Sequence, residues 1–187
     1  RLGMARSHFV GLSMGGCTDV ALALAAPQRV LSLTVACSRL EVDEAASAMW
    51  HQRAALAREQ GMVPLVESTL ARWLSEAWRS AHPDAVERVR AMLLGTSPAG
   101  FADCAEALAQ GHSLADLSAL ALPVLYIAGR EDQAVAPAHL ARYQAHTPGS
   151  RLAEVAGPHI LHLENLAGFA QTVLGFLKQA PGTDHMV

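Results

Sequence analysis

Three features of the sequence predict an α/β fold, a parallel sheet whose strands alternate with helices and which is interrupted by a block of helices alone. The first is His8-Phe9-Val10-Gly11-Leu12-Ser13-Met14-Gly15-Gly16, a short apolar run that turns sharply into an Ala- and Leu-rich segment stopped by Pro27. The second is the strand-length run Val30 to Ala36, one helix later; the two strands and the helix make a βαβ unit, which implies parallel pairing and a right-handed crossover. The third is the return of the alternation near the C-terminal end. Pro123 to Ala128 and Arg151 to Val155 read as strands, and helices are expected over 137–146 and 164–178.

Between these parts no strand pattern occurs. Helices are expected over 43–60, 62–78, 83–94 and 101–110, with Pro83 in a first turn that tolerates it and Gly95-Thr96-Ser97-Pro98 as a break. The organisation expected is a partial sheet core from 1–40 and 112–180, a helical cap from 41–111, and a loose tail from 181–187.

The totals narrow the function. A chain of 187 residues suits one domain with an inserted subdomain, and 51% hydrophobic against 17% charged residues is a globular composition. With 14 Lys+Arg against 17 Asp+Glu, a net charge of -3 and no basic stripe, nucleic acid is excluded as a partner. Cys17, Cys37 and Cys104 are scattered, without the spacing of a disulfide framework or a zinc site, which fits a reducing cytoplasm. The most apolar helix-like run, Val20 to Ala26, is too short to cross a membrane, and Arg1 and Arg6 lead straight into a strand without a signal peptide. A cytoplasmic location is the expectation. Because the chain opens only a few residues before its first strand, a segment upstream is expected to be missing.

The chemistry starts at the G-x-S-x-G pentapeptide, Gly11 to Gly15. A serine on a strained strand-to-helix corner brings its neighbours two before and two after against adjacent backbone, so Gly11 and Gly15 are expected where a Cβ would clash. The helix opens at Met14, whose N–H can face a developing oxyanion. Asp132, in Gly129-Arg130-Glu131-Asp132, and His159, in Gly157-Pro158-His159, each follow a strand end as Ser13 does, and parallel sheets gather such loops on one rim. Serine, acid and histidine in that chain order suit a nucleophile, an orienting carboxylate and a general base. Glu131 competes with Asp132 as the acid, and Asp132 has the alternative of capping the turn before Pro137. His162 competes with His159 as the base. The i, i+3 spacing of the two histidines lacks a further ligand for a metal. Cys17, one turn into the helix, reads as packing.

At these residues the sequence resembles the α/β-hydrolase superfamily, and within it the 3-oxoadipate enol-lactonase branch, from about residue 2 to 178. The text that carries the resemblance is the elbow F-V-G-L-S-M-G-G, Gly61-Met62 through Ala71-Arg72-Trp73-Leu74, Arg90-Ala91-Met92-Leu93, Pro98 to Cys104, G-R-E-D with Pro137, and His159 with Glu164 and Phe169. The resemblance implies a catalytic triad of Ser13, Asp132 and His159, with Met14 giving half of the oxyanion hole. It implies that Trp73 and Arg72 approach the substrate, Arg72 as the cation that a lactone bearing a free carboxylate needs; packing for Trp73 and solvation for Arg72 remain the plain alternatives.

The fold implied is the C-terminal part of an α/β-hydrolase sheet with an inserted cap. The activity implied is hydrolysis of small carboxylic esters or lactones, 3-oxoadipate enol-lactone in aromatic-compound degradation above all, with no cofactor and no metal. Family members begin with further strands and a loop that supplies the second oxyanion donor. Without them the chain is expected to be inactive and aggregation-prone alone. The expected partner is the small ester or lactone, with a second copy or the missing N-terminal segment as further associates. A generic esterase, a C–C bond hydrolase using the same residues, and a non-catalytic fragment that binds a partner stay open.

Overall fold

A computed structural model of the chain describes residues 4–181. They fall into two compact units, one from residues up to 40 and from 112 onward, the other from 41–111.

In the first unit four strands, β1 (Ser7–Leu12), β2 (Val30–Ala36), β3 (Val124–Gly129) and β4 (Arg151–Val155), pair in parallel in the order of the chain. Helix α1 (Met14–Ala25) links β1 to β2, and all the C-terminal strand ends meet on one rim. Alternate residues of each strand serve opposite faces. Leu33, Val35, Val124 and Tyr126 pack with Val20 and Ala23 of α1 and, further along the chain, with Leu117 and with Leu140 and Tyr143. Ala36, Leu125 and Ile127 pack on the other face with Leu161, Val173 and Phe176. All six residues of β3 are therefore buried, as a strand covered on both faces must be. At the other end of the order, the outer edge of β1 has no strand partner among the described residues, and Val10 there is 45% exposed.

The second unit consists of α2 (Glu44–Gln60), α3 (Val63–Trp73), α4 (Glu76–Ala81), α5 (Pro83–Leu94) and α6 (Pro98–Gln110). Ala54 and Ala57 of α2 meet Ala102 and Ala105 of α6, small residues that let two helix backbones approach, with Met62 and Leu65 closing the cluster. Beside them the Arg53 guanidinium lies 5.9 Å from the Trp50 ring centre and 5.7 Å from that of Phe101, and it donates to Thr69 Oγ1 at 2.7 Å.

Three expected helix bounds shift, each for a capping reason. The helix expected over 62–78 breaks at Leu74, which is extended (φ -127°, ψ 141°), and Ser75 accepts from the Trp78 N–H to start α4. The last block helix starts at Pro98 rather than Phe101 because Ser97 caps it. The closing helix, expected over 164–178, is α10 (Leu166–Leu177), capped by Asn165 and preceded by a short α9 (Leu161–Glu164), after α7 (Leu114–Ser118) and α8 (Pro137–His146). Short α7 is held by a reciprocal box between Ser113 and Asp116. Asn165 Oδ1 accepts from the Gly168 N–H at 3.0 Å while its Nδ2 donates to the Ala156 carbonyl at 3.0 Å, so one amide caps α10 and ties it to the end of β4. Asn165→Ala is expected to cost about 1–2 kcal/mol of stability, read from the urea midpoint, since it removes a cap and a tertiary bond together.

Candidate active site

The site is built where the strands of the first unit end. Leaving β1, Ser13 adopts φ 54° and ψ -117°, a left-handed-side conformation that costs about 1–3 kcal/mol for a residue with a Cβ. Its backbone N–H donates to the Ala36 carbonyl at 2.8 Å, which holds the corner against the neighbouring strand. A Cβ on Gly11 would fall on the backbone of Gly15 and Gly16 and on the Asp19 carboxylate. Gly15 differs from expectation: nothing lies within 4 Å of where its Cβ would be. Gly16 is the second obligatory glycine, since a Cβ there would strike Ser38 Oγ and come within 3.0 Å of Val35 Cγ1. The corner turns toward β2 one residue later than the pentapeptide suggests.

Ser13, His159 and Asp132 come together in one chain of hydrogen bonds. The Ser13 hydroxyl donates to His159 Nε2 at 2.9 Å, and His159 Nδ1–H donates to Asp132 Oδ2 at 2.9 Å. Asp132 and His159 are 4% and 3% exposed. Asp132 also fulfils the plain alternative, because its other oxygen, Oδ1, accepts from the Ala134 and Val135 N–H groups at 2.7 and 2.9 Å and forms the turn after β3. One carboxylate thus has a partner for each oxygen. Glu131 is exposed and turned to different work: its side chain accepts from the Gly157 N–H, and its own N–H donates to the Gly157 carbonyl at 3.2 Å. It clamps the loop that carries His159. His162 sits on α9 with its ring centre 5.9 Å from that of Phe169, and burial lowers its pKa, so it is placed to remain neutral beside an apolar neighbour.

Met14 opens α1, so its N–H is one of those a helix leaves without an intrahelical acceptor, and it adjoins Ser13. Cys17 is half-buried and its pKa is pushed up to about 12 by burial, partly offset by a backbone hydrogen bond, which leaves a thiol rather than a nucleophile. Among the described residues, Cys37, Asp132 and His159 bring ligating atoms within 4.8 Å of one another. The Asp132–His159 bond already occupies two of these groups, and burial first, then the Asp132 charge, raises the Cys37 pKa.

Arg72 and Trp73 form the last turn of α3, in the helical unit. Arg72 Nη1 lies 3.5 Å from Met49 Sδ, burial first and then the Arg72 charge lower the pKa of Arg53, and Trp73 is half-buried. Cys37 and Glu131, both within reach of the acid and base loops, are residues that sequence reasoning leaves without this role. The signal for Cys37 is available, since it follows a strand end as Ser13 does.

A family model described as alpha/beta hydrolase fold matches residues 1–166. The chain is 32% identical over 174 residues to 3-oxoadipate enol-lactonase 2 of Acinetobacter baylyi, covering 93% of this chain and 64% of that protein. It is 28% identical over 177 residues to enol-lactonase 1 of the same organism, covering 95% of this chain and 66% of the relative. The chain therefore spans less than two thirds of the length of these relatives. Among solved structures, the enol-lactonase from Burkholderia xenovorans LB400 matches with a TM-score of 0.90 at 30% identity, over 95% of this chain and 67% of that one. A thermophilic esterase from Thermogutta terrifontis matches with a TM-score of 0.86 at 25% identity, over 94% and 65%. No helix among the described residues is long and apolar enough to cross a membrane. Likeness of this extent, in sequence and backbone alike, makes the chain a member of the α/β-hydrolase fold family.

Proposed function

We propose that the chain carries the catalytic residues of a serine hydrolase acting on small carboxylic esters or lactones, with an enol-lactone as substrate. The observation that supports this most is the pair of 2.9 Å bonds running from the Ser13 hydroxyl through His159 to Asp132. A hydroxyl is a poor nucleophile near neutral pH, so His159 Nε2 takes the Ser13 proton as Oγ attacks the acyl carbon. Asp132 holds the imidazole with Nδ1 protonated and stabilises the imidazolium that forms. The negative charge gathers on the former carbonyl oxygen, toward the Met14 N–H. His159 then returns the proton to the leaving enol or alcohol oxygen, and an acyl-enzyme remains. Water gives its proton to His159, attacks the acyl carbon and releases the acid and Ser13.

The enol-lactone is favoured by the two lactonases of Acinetobacter baylyi and the one of Burkholderia xenovorans to which the chain is similar. Such a substrate carries a carboxylate beside the ring, and Arg72 with Trp73 is the proposed recognition pair. Arg72→Ala is expected to raise KM for a carboxylate-bearing lactone by about 10- to 100-fold, the worth of one hydrogen bond between charged groups. KM for a neutral ester is expected to hold, so an equal change for both substrates counts against recognition by Arg72.

The test of the reading itself combines turnover of 3-oxoadipate enol-lactone and p-nitrophenyl acetate with fluorophosphonate labelling and peptide mass spectrometry. A phosphonyl group on Ser13 and faster turnover of the lactone support it. Labelling at Ser13 with turnover of simple esters alone moves the assignment to a general esterase, which the Thermogutta terrifontis likeness favours. Absence of both labelling and turnover leaves a hydrolase-like ligand-binding fragment.

A further inference from the structure

Cys37 is a buried thiol to which the reaction above gives no task. It stands one residue past β2, next to β3, so the parallel order brings it to the same rim as the turn that carries Asp132. Its backbone takes φ 47°, outside the range that residues with a Cβ prefer, and its N–H extends the β2–β3 ladder by donating to the Ile127 carbonyl at 2.9 Å. The side chain is 0% exposed and lies among Ala36, Leu125 and Ile127. A strained backbone in a buried place persists only where its surroundings hold it. The surroundings here are polar on one side only. On that side the Cys37 sulfur shares a buried cluster with the Asp132 carboxylate and the His159 ring.

We propose that Cys37 is a positioning residue for Asp132, its S–H donating to the carboxylate from a neighbouring strand and fixing the acid that orients His159. The inference rests on the proposed Ser13–His159–Asp132 chemistry. Sγ lies within 4.8 Å of both a carboxylate oxygen of Asp132 and a ring nitrogen of His159, so it approaches the acid beside the imidazole. Apart from His159, the group being oriented, the donors to Asp132 are the N–H groups of Ala134 and Val135, which come from its own turn and move with it. Cys37 directly follows β2, so a contact from its thiol references the carboxylate to the sheet beside it. Burial and the Asp132 charge both disfavour the thiolate, so the donor proton stays in place.

Cys37→Ala and Cys37→Ser separate this role from packing, since both shrink the side chain and only serine keeps a donor. Two measurements apply: the rate of Ser13 phosphonylation, and the low-field NMR resonance of His159 Nδ1–H. Cys37→Ala is expected to slow phosphonylation about fivefold to tenfold, the scale of one ordinary hydrogen bond, as suits a weak S–H donor, and to broaden the resonance by faster exchange. Cys37→Ser is expected to recover most of both, although a buried hydroxyl packs less well among apolar groups than a methyl. The proposal falls if Cys37→Ala matches the parent, or if Cys37→Ser is as impaired as Cys37→Ala. Should the parent chain resist phosphonylation, the catalytic reading fails, while the Nδ1–H resonance in the same two variants still decides whether Cys37 holds the acid.

Discussion

On the proposed mechanism, in a preparation that turns over ester or lactone, Ser13→Ala is expected to lower kcat on the order of 10⁶-fold, with KM changed by no more than about twofold. The size follows from the site having one hydroxyl in the position that matters, 2.9 Å from His159 Nε2. Without it His159 has no proton to take from a bound nucleophile, and what remains is catalysis by binding and by the helix N-terminus. Asp132→Asn tests the other end of the relay. An amide turned with its NH₂ toward His159 forces Nδ1 to accept, so Nε2 carries the proton and cannot receive one from Ser13. A loss of about 10⁴-fold is expected for that tautomer error. Steady-state kinetics on one chromogenic ester suffices for both. Turnover by Ser13→Ala within tenfold of the parent would place the nucleophile elsewhere and end the serine mechanism.

Gly11→Ala is expected to destabilise the first unit by about 3 kcal/mol or more, because the added methyl overlaps backbone atoms that cannot swing aside. The atoms it meets belong to Gly15, Gly16 and Asp19, all in the helix that sets the direction of Ser13. Gly15→Ala offers the contrast at a site two residues past the serine. Open space surrounds its Cβ position, and an alanine in a helix is favoured over glycine, so stability is expected to rise by up to about 1 kcal/mol. Urea denaturation of the two variants side by side reads the difference. Equal midpoints would mean that the corner is looser than its geometry requires.

The strands were legible in the sequence wherever burial was two-sided. Val30–Ala36 reads as a β-branched and Leu run of strand length, with Ser32 and Thr34 buried within it, and β3 as an apolar run, and residues of both strands pack on either face of the sheet. Helix breaks were less legible, since Leu74 continues the apolar spacing of α3 while its backbone is already extended, and the cap at Ser75 gives the only local sign. The approach of Ser13, Asp132 and His159 could be anticipated because each follows a strand end, where parallel topology collects loops. The choice of Asp132 over Glu131 rests on the resemblance and not on spacing alone, for the two differ by one position along a turn whose path is set by bonds to Ala134, Val135 and Gly157. The fit of Gly16 against Val35 and Ser38 was hidden because it depends on a strand distant in the chain.

The helical unit leaves and rejoins the sheet unit at Leu40 and His112, and the His112 N–H donates to the Leu40 carbonyl at 2.6 Å. Entrance and exit therefore lie side by side, as at the neck of a flask. Excising the insertion demands only a bridge of two or three residues, whose closure entropy is small. A different insertion joined at the same neck leaves the pairing register of β1 to β4 unchanged, because both junction residues belong to the sheet unit.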